Sequence, residues 1–518
     1  MTHFNFGAKV ACVFWVLGLV LAGACGADDL DTMGVTLLRA DNPSLTGAGI
    51  DVAQAEALNA TNSPEFEVNY ASVDEPEDLF TWISTNGSSD MFPNGLGTES
   101  THADAVGDDF YGPSLGVAPG VAHVDNYEAD YFYAYIVSRE AAINDHVVNQ
   151  SFAFYVGPPQ QQPIDSAYDN YIAKYGTVFC SAVNGLGTGV GPPGTAYNCI
   201  GAGAYGVGAV VTDGPTLDNG RSKPDIVAPG VETSFTTPYV AGASAVLLQA
   251  AADGDGGSDT ADAGDVRTIK ALLLNGALKP YDWTNSTTAP LDQRYGAGVL
   301  NLYYSYQQLA GGEQGYTTEN KVESGGAHPP VSSGPLVSSR EGWDFESLGA
   351  NSSQDIVNHY LFNVASNSTL TATLVWERHA GMTNINNLAL FLYNATNADL
   401  LASSVSQVDN VQHVYLPLLP PGAYDLEAVT YARATAETYA LAFQFYGIAP
   451  PALSVVSTPT NAVITWPSSP TVYTLQETGS LNPPIDWTNV TAAEWITNST
   501  VSTTVNTCGN AGYFRLAL

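Results

Sequence analysis

The sequence predicts an α/β domain followed by all-β modules, and three observations carry that prediction. Between about residues 45 and 310, short apolar strands alternate with helical patterns, as a parallel sheet covered by helices on both faces requires. From Gly311 to Ser339 the chain is rich in Gly, Ser and Pro with little periodicity, the texture of a linker. Beyond it apolar residues recur at every second position: Leu370, Ala372, Leu374 and Trp376, then Leu388, Leu390 and Leu392. At 518 residues the chain is long enough for two or three domains.

The chain opens with an apolar run, residues 10–24, after Lys9. It is short for a membrane span and ends in Ala22-Gly23-Ala24, so residues 1–24 read as a secretory signal. Cys25 follows where a lipoprotein acceptor would stand, although Ala22 occupies the usual Leu position. Simple secretion is the reading, and attachment to the cell envelope through Cys25 is the alternative. No other long apolar run exists, so no membrane span is expected. The formal net charge is −36, from 15 Lys+Arg against 51 Asp+Glu. That balance argues against binding nucleic acid or an anionic membrane surface, which need basic patches. A hydrophobic fraction of 45% argues against disorder. Cys12 and Cys25 belong to the leader, and Cys180, Cys199 and Cys508 do not make a disulfide framework. Cys180 and Cys199 read as small buried residues on successive strands, with a bridge between them as the alternative.

The elements follow in order. Residues 28–45 form a short lead into the first domain, 28–312. Residues 49–57 have the look of the first core strand. Residues 59–100, dense in Asn, Ser, Gly and Pro, read as a surface excursion holding one strand-like piece around Phe80 and Trp82. Residues 123–127 form the next strand, where His123 and Asp125 are given a core role rather than a metal role. A helix is expected at 164–175, where apolar positions repeat at Ile164, Tyr168, Tyr171 and Ile172; strands at 147–152, 177–185 and 193–204 are implied by the resemblance described below. Residues 225–228 make a buried strand, Pro229-Gly230 a turn, and Thr233-Ser234 opens an apolar helix. A first helical turn has unsatisfied N–H groups and a positive dipole end, so a hydroxyl there lies where an oxyanion is stabilised. Ser234 as a mere helix cap is the competing reading. Asp253, Asp255, Gly257 and Asp259 give D-x-D-x-G-x-D, a calcium-loop spacing, but position twelve is Gly264 instead of Glu. A solvated acidic loop is therefore read, with Ca2+ the alternative and no other metal or cofactor expected. A helix over 264–277 closes the set. Residues 313–340 are the linker, 341–447 a β-sandwich and 451–518 a small β module.

Several motifs agree on one resemblance. KPDIVAPG followed by TSFTTPYVAG, residues 223–242, resembles the nucleophile region of the subtilisin-like serine peptidases, roughly G-T-S-x-A-T-P-H-V-A-G. Thr233, Ser234, Pro238, Val240, Ala241 and Gly242 match. Glu232 stands for Gly, Tyr239 stands for His, and the loop between APG and GTS is almost absent. Residues 101–108, THADAVGD, resemble the family's S-H-G-T-H-V-A-G, and VAPGVA at 117–122 resembles the G-V-A-P-x-A that follows it. Arg294-Tyr295-Gly296-Ala297-Gly298 resembles the Y-G-x-G closing motif. The resemblance implies a subtilisin-like parallel sheet with helices on both faces, followed by jelly-roll-like β modules. It implies Ser234 as nucleophile and His102 as general base. Glu56 stands where the family's first strand ends in the triad Asp, with Asp51 the alternative carboxylate. Asn184, at the end of a strand resembling A-A-G-N, is the implied oxyanion donor. VVNQSF at 147–152 resembles the strand whose edge binds substrate, so Ser151 and Phe152 are the implied substrate-binding residues. Such peptidases usually carry a folding pro-segment, for which residues 28–45 leave no room.

The implied activity is that of a secreted serine endopeptidase acting on polypeptides through an acyl-enzyme. The carboxylate, His and Ser come in the subtilisin chain order. Two alternatives stay open: an inactive peptidase fold used for binding, motivated by Glu56, Glu232 and the lost loop, and a surface carbohydrate- or protein-binding protein in which the β modules act.

Overall fold

The computed structural model describes residues 26–57, 64–184, 189–210, 213–349, 355–431, 436–449, 451–458, 460–506 and 512–518. The leader 1–24, the anchor candidate Cys25 and Cys508 lie outside them. Among the described residues no helix is long and apolar enough to cross a membrane.

Eight strands form the first sheet, in the order Ile226–Pro229, Ile200–Tyr205, Val178–Ala182, Val147–Gln150, Asp51–Glu56, His123–Glu128, Phe80–Ser84 and Gly87–Ser89. All neighbours are parallel except the last pair. Parallel strands buried on both faces read as continuous apolar runs, and Val178–Ala182 and Ile226–Pro229 are buried at every position. Helices cover both faces, as adjacent residues of one strand report. The Phe179 ring meets Tyr168 and Tyr171 of the helix Pro158–Tyr175, while Cys180 Sγ lies 3.5 Å from Ser244 Oγ of the helix Thr233–Asp253. Consecutive strand side chains point to opposite faces, so the two helices do too. Cys180 and Cys199 are free, buried thiols, and the alternative of a bridge does not hold.

Two sequence expectations are corrected here. The segment 59–100 is more than a surface excursion: Phe80–Ser84 is a full member of the sheet, and Trp82 is wholly buried beneath its indole N–H bond to the Val68 carbonyl, 3.0 Å. The linker 313–340 is not structureless either. Thr318–Lys321 pairs antiparallel with Ile356–His359 and becomes an edge strand of the sandwich.

The sandwich is antiparallel throughout. Its five-stranded sheet runs Thr318–Lys321, Ile356–Val364, Gly422–Tyr431, Asn387–Asn394, Leu400–Ser404, and its four-stranded sheet Glu341–Leu348, Glu437–Gly447, Ser368–Trp376, Val411–Leu419. Ser368–Trp376 is buried at all nine positions because both its faces are covered. Leu370, Ala372 and Leu374 enter the sandwich core. Thr371 and Thr373 on the other face donate to Asn275 Oδ1, 2.9 Å each, on the peptidase-domain helix Val266–Gly276. The last module has a four-stranded and a three-stranded sheet. It reaches back across the molecule: Asn498 N donates to Thr32 Oγ1, 2.8 Å, and Ile496 N to Tyr205 Oη, 3.0 Å.

Candidate active site

Every candidate except Asp51 sits at the carboxyl ends of the sheet's strands or at a helix start beside them, where open α/β sheets place their ligands. Asp51–Glu56 is a central strand, paired in unbroken register with His123–Glu128 on one side and Val147–Gln150 on the other. Its last residue, Glu56, is 1% exposed. His102 is the second residue of the helix Thr101–Phe110, whose cap Ser100 accepts from Ala103 N. The structure brings the two together: His102 Nδ1 lies 2.8 Å from Glu56 Oε2, with the imidazole about one-fifth exposed. Asp51 starts the same strand, on the opposite face by the period of two, and groups with Asp125 and Asp145.

A relay of buried polar groups holds Glu56. Gln54 Nε2 donates to Glu56 Oε1 and to the Ala103 carbonyl, both 2.9 Å, while Tyr111 Oη donates to Gln54 Oε1 at 2.5 Å. Sequence reasoning missed Gln54 and Tyr111. The available signal was Gln54 itself, two residues before Glu56 on the same strand face, a polar residue in a run otherwise fit for the core.

Ser234 is the second residue of the helix Thr233–Asp253, which is buried nearly all round. The cap position is Glu232, without a side-chain capping bond, so the reading of Ser234 as a cap is corrected. Gly230 turns the chain into this helix at φ +142°, and a Cβ there would lie 2.8 Å from Thr236 Cγ2. Thr236 Oγ1 donates to the Gly203 carbonyl, 2.9 Å, pinning the helix start to the neighbouring strand. Two further contacts lock this helix to the His102 helix and to the segment that follows it. A Cβ on Gly242 would lie 2.6 Å from Val117 Cβ, so only glycine allows the approach. Tyr239 Oη donates to Asp109 Oδ1 at 3.0 Å, which gives the Tyr239 departure a structural role. Burial pushes the Asp109 carboxyl up to about 8, although that hydroxyl opposes the shift.

Ser234 Oγ donates to the Ser151 carbonyl at 3.2 Å, and Ser151 Oγ donates to the Ser234 carbonyl at 2.7 Å. Ser151 thus lies directly against Ser234. Phe152 is buried with its ring edge-on to Phe154, centroids 5.7 Å apart. Asn184 ends the strand Val178–Ala182 after one more residue. Its carbonyl accepts from Thr233 Oγ1, and its side-chain amide donates to the Gly189 carbonyl. The Phe235 ring covers His102, centroids 5.5 Å apart. Burial pulls the His102 pKa down, but Glu56 and the exposed Glu232 outweigh it, so the imidazole titrates above its ordinary value.

The acidic loop is used piecemeal. Asp255 Oδ2 accepts from Tyr306 Oη, 2.9 Å, and Asp259 Oδ1 caps a short helix by accepting from Asp262 N, 3.2 Å. His123 Nε2 lies 3.3 Å from Asp125 Oδ1 and 3.1 Å from Thr81 Oγ1.

Residues 60–298 match the Subtilase family model. This part of the chain is a subtilase domain, that of a serine-type peptidase acting on polypeptides. The match starts after Glu56. The solved structure of the Prenylagaramide maturation protease PagA is 18% identical, covers 54% of this chain and 99% of its own, with a TM-score of 0.36. Tripeptidyl peptidase 2 is 12% identical, covering 74% of this chain and 43% of its own, TM-score 0.30. The pre-peptidase C-terminal domain of collagenase from Bacillus anthracis is 21% identical over 20% of this chain and 89% of its own, TM-score 0.16. No curated protein sequence matches.

Proposed function

We propose that the chain is a secreted serine endopeptidase working through a Ser234–His102–Glu56 triad. Ser234 Oγ attacks the scissile carbonyl while His102 Nε2 takes its proton and returns it to the leaving amine. Glu56 holds Nδ1–H and balances the imidazolium, and Gln54 keeps the carboxylate in place. The Asn184 amide and the Ser234 N–H receive the oxyanion. Water then hydrolyses the acyl-enzyme by the same proton path, releasing the acid and restoring Ser234. The observation that carries this reading is the 2.8 Å contact from Glu56 to His102, beside the helix that bears Ser234. In this reading the Ser234–Ser151 bond is a resting arrangement, left by rotating one side-chain torsion, and Asn184 exchanges Gly189 for substrate. Ser151 and Phe152 line the substrate strand. Secretion rests on the apolar run at 10–24, with envelope attachment through Cys25 as its variant.

A binding-only reading draws on the same two hydrogen bonds, since they occupy the Ser234 hydroxyl and the Asn184 amide. A serine-reactive phosphonate applied to the full chain distinguishes the two. Covalent labelling at Ser234, absent from Ser234→Ala, supports the peptidase; an unlabelled, folded chain supports binding alone.

A further inference from the structure

The sandwich buries a second set of titratable groups on the outer face of its five-stranded sheet. Along Gly422–Tyr431 the side chains alternate: Tyr424, Leu426 and Ala428 enter the core, so Asp425 and Glu427 face outward. His359 on the adjacent strand stands opposite Glu427 in register. An outward face is ordinarily wet, yet all three residues are 0% exposed. The segment leading in from the peptidase domain covers them. Thr318–Lys321 pairs alongside His359, Val331 N donates to Asp425 Oδ2 at 2.7 Å, and His328 Nδ1 lies 2.6 Å from Glu427 Oε2.

Two buried carboxylates side by side are costly unless charge and hydrogen bonds compensate them. The donors among the described residues leave that compensation incomplete. Asp425 Oδ1 and Glu427 Oε1 are buried without a hydrogen-bond partner among the described residues. Glu427 Oε1 points into the cluster, 3.4 Å from His359 Nδ1, which is itself 2.8 Å from Asp425 Oδ2. One donor atom from each of the three residues lies within 4.8 Å of the others. Tetrahedral ligands bound to one zinc ion at about 2.0–2.2 Å are separated by roughly 3.3–3.6 Å; the 3.4 Å between His359 and Glu427 matches that spacing, and the 2.8 Å between His359 and Asp425 would have to open slightly.

We propose that His359, Asp425 and Glu427 form a divalent-cation site for Zn2+. One imidazole and two carboxylates suit zinc, whereas Ca2+ takes six to eight oxygens and no nitrogen. The ion supplies both positive charges that the carboxylates call for. His328 acts from outside, orienting Glu427 through its second oxygen, and its own Nε2 is held by Tyr431 Oη at 2.9 Å. Because Val331 and His328 belong to the interdomain segment, the filled site fastens that segment to the sandwich.

The test uses the purified full-length protein, stripped with a chelator, reloaded with Zn2+ and passed through gel filtration. One zinc per chain is expected by elemental analysis, kept in His102→Ala and lost in His359→Gln and Glu427→Gln. Co2+ in its place should give visible absorption bands. X-ray absorption on the zinc-loaded wild type should show nitrogen and oxygen at about 2.0–2.1 Å and no sulfur. That measurement decides the matter even if the variants fail to fold. A wild-type chain that retains no zinc, folded His359→Gln and Glu427→Gln variants that retain it undiminished, or a shell without imidazole scattering would overturn the site and leave a proton-balanced network.

Discussion

His102 and His359 each stand 2.8 Å from a carboxylate oxygen, yet the molecule treats them oppositely. The His102 side chain is about one-fifth exposed and sits where strands end and helices begin; the His359 side chain is buried and lies within a paired strand. Bond length therefore does not separate the histidine proposed to react from the one proposed to bind zinc. What separates them is access and company: a hydroxyl-bearing helix start beside His102, a second carboxylate and a covering strap over His359. Their titration differs as well. Burial pulls both imidazoles down and carboxylates pull both back up, but His359, with two carboxylates at close range, reaches about 9.

The largest effect that could break this contrast is at the nucleophile. Ser234→Ala should reduce peptide turnover by about 10⁶, as triad knockouts do. Residual casein cleavage at wild-type rate would remove His102 from the reactive class. Next comes the carboxylate. Glu56→Gln keeps the size but can present an N–H to the ring, and should lower turnover about 10⁴-fold. Glu56→Asp should be partly active, and Asp51→Asn nearly silent, because Asp51 occupies the other face and the other end of the strand. One peptide substrate and a check of folding for each variant suffice; damage from Asp51→Asn with a silent Glu56→Gln would redraw the triad. Asn184→Ala should lower turnover by roughly 10²–10³ with little change in substrate affinity. A rise in KM alone would make Asn184 a binding residue.

The smallest effect sharpens the comparison rather than testing it. Protonated His102 cannot accept the Ser234 proton, so activity falls as pH drops through its pKa, which Glu56 and Glu232 hold above the ordinary value. Glu232→Gln removes one of those anions. The acid limb of the kcat/KM profile should move to lower pH while the plateau is kept. An unmoved limb would mean that Glu232, though two residues from Ser234, is screened from the ring by water.

The sequence shows this site unevenly, for physical reasons. Ser234 and His102 lie in local motifs whose backbone geometry is set by a few neighbours, so the letters alone are enough to nominate them. Glu56 was legible as a strand end, and the regular register of Asp51–Glu56 decides its face. The relay through Gln54 and Tyr111 joins residues 57 positions apart and leaves no local pattern. Phe80–Ser84 was half-read because its five residues sit among turn formers, although Trp82 is the buried anchor. Thr318–Lys321 is polar and mostly exposed, as an edge strand is, and only pairing with Ile356–His359 defines it. The cluster at His359 combines residues from two strands and a strap, a combination that spacing along the chain does not reveal.

The bridge from Asn498 to Thr32 spans 466 positions. Ile496 completes a small apolar cluster whose other buried members, Tyr205, Val227, Leu278, Tyr295 and Val299, all belong to the peptidase domain. A ribosome delivers those five residues long before it delivers Ile496. Until the last module emerges, this cluster lacks Ile496, so the peptidase domain completes its packing only after residue 496 has been made. Chain order thereby becomes a timer: a product cut short before residue 496 is left with an incomplete apolar cluster.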